Sequence, residues 1–132
     1  MTTHATATFE VKSWEEQDYD QVEGAARVTR ATVLMAFAGD IEGDGTVEYL
    51  MTYADDGTAG YVGQQRMHAR IAGREGAFVV QAVGAFRDGV ARSTWSVVPG
   101  SATGGLRGLR GEGTAEAPKG TIGTVTLDYD LG

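Results

Sequence analysis

Asp-Gly pairs between runs of alternating apolar and polar residues are the sequence feature that most restricts the fold. Three such pairs occur, at Asp44-Gly45, Asp56-Gly57 and Asp88-Gly89. An Asp-Gly pair in this setting is typical of a β-hairpin, because both central residues of a type I′ turn need positive φ. The chain also has 20 glycines and only two prolines, which suits many tight turns. The pattern therefore predicts an all-β protein built from consecutive hairpins.

Eight strands are predicted from the period-two alternation between these turn signals. Ala5–Ser13 alternates apolar and polar residues, as a half-buried strand does. The acidic segment Trp14–Gly24 follows no clear period and is interpreted as a solvated loop. Turn signals that recur about every dozen residues predict an antiparallel sandwich or barrel. The other predicted strands are Arg27–Gly39, Thr46–Tyr53, Gly60–Ile71, Ala77–Arg87, Val90–Val98, Arg110–Ala115 and Thr124–Leu131.

The turns also predict which residues face the interior, if each hairpin is centred on a two-residue turn. Centring on Asp44-Gly45 and Asp56-Gly57 places Glu48 opposite Ile41 and Gln65. The remaining turns are centred on Arg74-Glu75 and Asp88-Gly89. The predicted inner face collects Val33, Met35, Phe37, Leu50, Tyr61, Met67, Ile71, Phe78, Val80, Phe86, Trp95 and Val97. The predicted outer face collects Tyr49, Tyr53, Arg66, His68, Arg70, Gln81 and Arg92.

A carboxylate in this predicted interior is the candidate catalytic group. Glu48 falls on one row with Gln65 and Ser93. Burial raises the pKa of a carboxyl group, so Glu48 is a candidate general acid or a stabiliser of developing positive charge. The alternative is that Glu48 pairs with an arginine or with backbone groups and has only a structural role. The predicted ligand-binding residues around it are Gln65, Ser93, Trp95, Tyr61, Phe37, Met67 and Phe86.

Composition restricts the partners. The net charge of −7 over 132 residues argues against nucleic acid and anionic membranes, because those contacts require a basic face. The length suits one domain, residues 1–132. The chain shows neither a membrane-span length of apolar residues nor a signal-peptide pattern, so the expected location is cytoplasmic. His4 and His68 lack further ligands at zinc spacing, cysteine is absent and no cofactor motif occurs, so no metal or cofactor is expected.

Five segments together resemble a bacterial family, the DUF3224 domain of unknown function, over nearly the whole chain. They are Phe9–Trp14, Gly39–Met51, Thr94–Gly100, Gly108–Gly113 and Leu127–Asp130. The family resembles allene oxide cyclase in fold, which implies an eight-stranded antiparallel, calycin-like β-barrel with a central cavity. Barrels of that wider superfamily include cyclases that steer a reactive hydrophobic substrate with few polar groups. The family carries no settled activity, so the resemblance implies a fold and not a catalytic set.

Three functions remain open from the sequence. The first is a cofactor-independent cyclase or isomerase acting on a hydrophobic small molecule inside the barrel. The second is a non-catalytic carrier that uses the same cavity, as lipocalins do. The third is a surface or assembly protein whose barrel is filled by its own side chains, which eight strands permit. An empty cavity would favour the first two, and only turnover would separate them.

Two predicted strands are apolar on their outer side as well as on their inner side. A monomeric barrel should show polar residues there, because its outer face meets water. Contiguous apolar surface usually marks an interface, so we predict a homo-oligomer, most simply a two-fold dimer. The alternative is that Trp14–Gly24 or a terminus covers this surface. The outward apolar residues are Val28, Leu34, Ala36, Ala38, Ala77, Val79, Val83 and Ala85.

Overall fold

The computed structural model describes residues 2–118 and 122–131. In this part of the chain eight strands form a closed antiparallel barrel, in which each strand pairs with the next and the last pairs with the first. The prediction of an all-β, eight-stranded antiparallel barrel connected mostly by hairpins is therefore confirmed. The strands are β1 (Thr3–Asp18), β2 (Arg27–Gly39), β3 (Ile41–Tyr53), β4 (Ala59–Ile71), β5 (Arg74–Arg87), β6 (Val90–Val97), β7 (Arg110–Pro118) and β8 (Gly123–Asp130).

The β6–β7 connection closes one end of the barrel. It contains a short 3-10 helix, Gly104–Leu106, and its backbone bonds to β5, where the Thr103 N–H donates to the Ala77 carbonyl at 2.8 Å. Leu106 and Leu109 are fully buried at this end. Burying apolar side chains in this way is the main favourable term in folding. This half of the barrel interior is consequently a packed core, which also contains Ile41, Ile71, Phe78, Val80 and Leu127.

A β-bulge in β1 changes which residues face the interior. Val11 pairs with Met35 while Ser13 pairs with Leu34, so Lys12 is the extra residue. A bulge of this kind shifts the alternation by one position, and inward residues change from odd to even numbers. The prediction that Trp14–Gly24 is a solvated loop is wrong for residues 14–18, which continue β1 and present their even-numbered side chains to the barrel.

The β2–β3 turn lies at Asp40. The predicted position, Asp44-Gly45, is wrong. Met35 on β2 pairs with Gly45 on β3, so the Asp-Gly pair lies within β3. Gly39 allows the chain to reverse earlier, because its φ of +117° is strained for residues that carry a Cβ. The pair Asp44-Gly45 therefore has the sequence of a hairpin turn but lies inside a strand. β3 begins earlier, at Ile41.

Two further turns differ from the predicted two-residue centres. Tyr53 pairs with Ala59, so the β3–β4 loop spans residues 54–58 and has an odd length. An odd loop moves the register by one residue and exchanges the faces of the strand. Ile71 pairs with Arg74 across the turn Ala72-Gly73. Gln65 consequently pairs with Val80 and not with Gly84, four residues from the predicted partner. Because this displacement is even, the residues of β5 keep their predicted faces.

The corrected register turns β3 over relative to the prediction. Glu48 and Leu50 lie on the outer surface, whereas Tyr49 and Tyr53 face inward. The predicted interior position of Glu48 is therefore wrong. The Asp88-Gly89 turn is confirmed by the pairing that follows it. The inward positions confirmed are Val33, Met35, Phe37, Tyr61, Met67, Ile71, Phe78, Val80, Phe86, Trp95 and Val97, and the outward ones are Arg66, His68, Arg70, Gln81 and Arg92.

Glycines within the strands make room for large rings in the interior. A Cβ on Gly63 would lie 2.5 Å from Cδ1 of Tyr49, so the Tyr49 ring lies directly over the bare backbone. A Cβ on Gly45 would meet the sulfur of Met67 at 2.6 Å. Interiors are close-packed, and these glycines are the small partners of the aromatic and thioether side chains. Part of the chain's high glycine content therefore serves packing and not turns.

Candidate functional site

The half of the barrel opposite the closed end is hollow. Its cavity has a volume of about 380 Å³ and lies toward the end that carries the β1–β2, β3–β4 and β5–β6 connections. The wall is formed by residues of β1 to β7, which face inward except for the exposed Glu116. The lining consists of Phe9, Val11, Trp14, Met35, Phe37, Tyr49, Met51, Tyr53, Ala59, Tyr61, Gln65, Phe86, Ala91, Ser93, Trp95, Ala115, Glu116 and Ala117.

Aromatic rings dominate the cavity wall. Eight lining side chains are aromatic, and only Tyr19, Phe78 and Tyr129 of the chain's aromatic residues lie elsewhere. The rings form two contacting groups, one with 5.9 Å between the Phe37 and Trp95 centroids and one with 5.1 Å between those of Tyr49 and Tyr61. Offset and edge-on contacts at these distances are favourable and hold the rings in place.

Gln65 is the buried polar side chain of the cavity wall. It is 1% exposed, and its Nε2 donates to the sulfurs of Met67 at 3.5 Å and Met35 at 3.7 Å. A thioether sulfur is only a weak acceptor. The Gln65 amide therefore keeps hydrogen-bonding capacity that a polar atom of a ligand could use.

Two tyrosines on neighbouring strands supply neutral phenols to the cavity. Burial, and to a smaller extent the neighbouring Tyr61, raises the pKa of Tyr49. Burial also raises the pKa of Tyr61, while a hydrogen bond with Ser93 opposes part of that rise. Tyr61 and Ser93 both pair with Gly84 on β5, whose missing side chain leaves space between them. Both phenols are consequently protonated donors at neutral pH.

Glu16 is the inward-facing carboxylate at the open end, and the sequence analysis missed it. Thr29 Oγ1 donates to its Oε2 at 2.6 Å, and Trp14 Nε1 donates to its Oε1 at 2.9 Å. The hydroxyl of Tyr53 also donates to Oε2. Burial alone would raise the pKa of the Glu16 carboxyl, but these three hydrogen bonds and the nearby Arg27 charge lower it below its usual value. Glu16 is therefore an ionised carboxylate held by three donors.

A one-residue shift of the alternation was the sequence signal for Glu16. Apolar residues occupy odd positions up to Val11, and the next large apolar residue is Trp14. A skip of this kind in a period-two pattern indicates a bulge. Continuing the shifted pattern from Trp14 would have placed Glu16 in the interior.

Glu48 lies outside the barrel and pairs with a cation of the neighbouring strand. Nη2 of Arg30 donates to its Oε1 at 2.7 Å, and Nε of Arg30 donates to the same oxygen at 3.2 Å. Hydrogen bonding to Thr32 and to Arg30 lowers the pKa of Glu48, the opposite of the predicted rise. The alternative of an arginine partner describes this carboxylate, although the pair is on the surface and not in the core.

Six of the seven predicted ligand-binding residues line the cavity. They are Phe37, Tyr61, Gln65, Phe86, Ser93 and Trp95. Met67 does not, because it is fully buried between the cavity wall and the packed half of the barrel. The cavity lining on β3 consists of Tyr49, Met51 and Tyr53, of which Tyr49 and Tyr53 were predicted to face outward. Whether any of these residues binds a ligand stays a prediction.

Within residues 2–118 and 122–131, no cluster of three or more His, Cys, Asp or Glu side chains could hold a metal ion. The same part of the chain contains no helix of the length and apolar character needed to cross a membrane.

Comparison with known proteins gives a family but no activity. A family model described as "Protein of unknown function (DUF3224)" matches residues 5–129. Among solved structures, the chain is similar to a protein of unknown function from the DUF3224 family of Shewanella oneidensis MR-1, with a TM-score of 0.84, 28% identity and 98% coverage of each chain. No curated protein is significantly similar. The resemblance to DUF3224 is confirmed, whereas neither match concerns allene oxide cyclase.

Proposed function

Because the chain belongs to the DUF3224 family of proteins of unknown function, we propose a function from the barrel itself: it binds a small, mostly apolar molecule in its cavity. The observation that supports this is a cavity of about 380 Å³ with an aromatic wall and a few polar groups. Small-molecule sites are concave, mostly apolar and about 300–1,000 Å³ in volume. The size and the lining both agree with such a site.

The polar groups of the wall would orient the ligand. Gln65 offers an amide at the inner part of the cavity, where its present partners are weak sulfur acceptors. Tyr61 and Ser93 offer hydroxyl groups on the side wall. A few convergent polar groups in an apolar site fix orientation and provide specificity. We therefore expect an apolar body with one or two polar atoms.

Binding without turnover is the form of this function that the geometry favours. Glu16 is saturated by three donors and its pKa is lowered, which makes it a weak general base at neutral pH. A cyclase or isomerase is the second candidate, and the neutral Tyr61 phenol beside Ser93 favours it, because such a donor could stabilise a developing oxyanion. Conversion of a bound compound would separate the two.

A cavity-filling substitution tests the proposal. Ala115 lines the cavity, whereas its neighbour Thr114 is exposed on the outer face. We expect Ala115→Phe to abolish binding of neutral apolar compounds that the unchanged protein binds, and Thr114→Phe to leave binding intact. Calorimetry and native mass spectrometry of the purified protein provide the measurement. Equal binding by the two variants would show that the ligand binds outside the cavity.

A further inference from the structure

The charges around the cavity restrict the kind of ligand it can hold. Among the described residues, no Lys, Arg or His lines the cavity, and its one charged lining residue is Glu116. The carboxylate of Glu116 is exposed and lies 3.5 Å from Nε of Arg92. A carboxylate or phosphate ligand placed in this cavity would be desolvated without a cationic partner, which is costly. The lining therefore disfavours anionic ligands.

Negative charge is also concentrated around the open end. The β1–β2 connection, residues 19–26, carries Asp20 and Glu23, and the β3–β4 loop, residues 54–58, carries Asp55 and Asp56. Neither stretch contains Lys or Arg. Arg87, at the β5–β6 turn, is the cation whose charge acts on Asp56, and the adjacent Asp88 offsets it. A set of like charges around a low-dielectric opening raises the local concentration of oppositely charged ligands. The open end therefore attracts cations.

The cation nearest to Glu16 at this end already has its own partners. Nε of Arg27 donates to Asp18 at 3.0 Å, and its guanidinium lies 5.4 Å from the centroid of the Tyr53 ring. Asp18 and Glu16 together outweigh this single positive charge. The Arg27 contact also shows that the Tyr53 ring can accept a cation on one face.

Glu16 places an ionised carboxylate at the polar edges of two rings of the cavity wall. It accepts hydrogen bonds from Trp14 and Tyr53, both of which line the cavity. The Trp14 ring also contacts the Tyr49 ring, with 6.3 Å between their centroids. Aromatic faces attract cations through their quadrupole, most strongly where the site is desolvated. Rings supported by a carboxylate form the arrangement that recognises organic ammonium groups.

From these observations we infer that the ligand is an organic cation, an amine or quaternary ammonium on an apolar or aromatic body, with its charged group against Trp14, Tyr49 and Tyr53 near Glu16. The inference rests on the proposed binding of an apolar small molecule and adds the sign of the ligand's charge. Its body would occupy the aromatic cavity toward Gln65.

Three compounds that share one body and differ in their charged group test the inference. We would measure binding of 3-phenylpropylamine, 3-phenylpropanol and 3-phenylpropanoate by calorimetry and by the fluorescence of Trp14 and Trp95, both of which line the cavity. The expected order is amine, alcohol, carboxylate, with the amine at least about tenfold tighter than the carboxylate, because the amine gains cation–π contacts and the carboxylate loses its hydration without a cationic partner. Equal affinities, or a preference for the carboxylate, would overturn the cationic ligand and leave apolar binding standing. Failure of all three at millimolar concentration would overturn both proposals.

Variants that remove a charge test where the charged group of the ligand binds. Glu16→Gln removes the charge beside Trp14 and Tyr53 together with one of the two acceptor oxygens, so it should weaken binding of the amine several-fold and binding of the uncharged alcohol much less. Glu15→Gln is the matched control, since it removes the same charge from the adjacent, exposed position. Should Glu16→Gln fail to fold, Trp14→Leu removes an aromatic face at a half-exposed position and should also lower the preference for the amine. If neither variant changes the ratio of amine to alcohol affinity, the inferred position of the cation is wrong.

Discussion

The hydroxyl of Thr29 lies 2.6 Å from Oε2 of Glu16 and holds this carboxylate against the inner wall of the barrel. Thr29 is fully buried, so Thr29→Val keeps the shape and removes the donor. A hydrogen bond to a charged group contributes about 1.5–3 kcal/mol, and we expect a loss of that order in the free energy of unfolding measured in urea at pH 7. Thr52→Val, at an exposed position of β3, should change it by less than about 0.5 kcal/mol. Equal losses for the two variants would contradict the assignment.

The lowered pKa of Glu16 predicts a pH-dependent contribution to stability. Its carboxyl has a folded-state pKa below the ordinary value of 4.5. The contribution is therefore fully present above that value and is lost as pH falls through the folded-state pKa. We expect the difference in unfolding free energy between the unchanged protein and Glu16→Gln to shrink between pH 7 and pH 3. A difference that stays constant over this range would show that the Glu16 charge does not contribute.

The strand number and the barrel could be predicted from sequence because alternation and turn signals recur along the whole chain. Asp88-Gly89 was located correctly, since both of its residues have positive φ, +54° and +78°, as a type I′ turn requires. Asp44-Gly45 has the same letters but lies inside β3, where its glycine is needed for packing. Local sequence does not distinguish a glycine that allows a turn from one that accommodates a neighbouring side chain.

The site was harder to predict, because the face of the barrel wall on which a residue lies depends on whether the preceding turns and bulges add an odd or an even number of residues. The extra residue Lys12 and the two odd turns on either side of β3, at Asp40 and at residues 54–58, each exchange the two faces of a strand. The bulge concealed Glu16, and the two turns placed Glu48 inside and Tyr49 outside. Residues of β4 to β6 kept their predicted facing, because the only register error there was even. The cavity was therefore anticipated on one wall and missed on the other.

Trp95 provides a test of how the cavity wall is packed. Its ring is 3% exposed and contacts Phe37, while its other neighbours include open cavity. Large-to-small changes of buried aromatic residues cost about 3–5 kcal/mol, and we expect Trp95→Ala to fall at the lower end of that range, because the cavity side provides no contacts to lose. Trp95→Phe retains a ring and should cost less than half as much. A loss below about 1 kcal/mol for Trp95→Ala, the range of surface substitutions, would show that the ring does not support the wall.

Gly63 tests the packing of Tyr49. A Cβ at this position would lie 2.5 Å from the Tyr49 ring and 3.0 Å from the Glu48 carbonyl oxygen. Gly63→Ala should therefore displace the ring and cost about 1–3 kcal/mol, as overpacking does. Gly60 lies on the same strand, and a Cβ there would have no atom within 4 Å, so Gly60→Ala is the control and should be nearly neutral. Denaturant unfolding compares the two, and a neutral Gly63→Ala would mean that Tyr49 moves without cost.

Self-association, predicted from outward apolar residues of β2 and β5, stays a prediction, and the exposed apolar row that can test it shares Val83 with the predicted set. Leu50, Val62 and Val83 pair in one row across β3, β4 and β5 and are 42%, 50% and 56% exposed. A two-fold axis beside Val62 would place Leu50 of one copy on Val83 of the other, so the row is self-complementary. We expect light scattering at micromolar concentration to give about twice the chain mass of 13.9 kDa, and Val62→Lys to restore the mass of one chain. Val22→Lys, at an exposed position of the β1–β2 connection, should leave the dimer intact. A single-chain mass for the unchanged protein would refute the dimer.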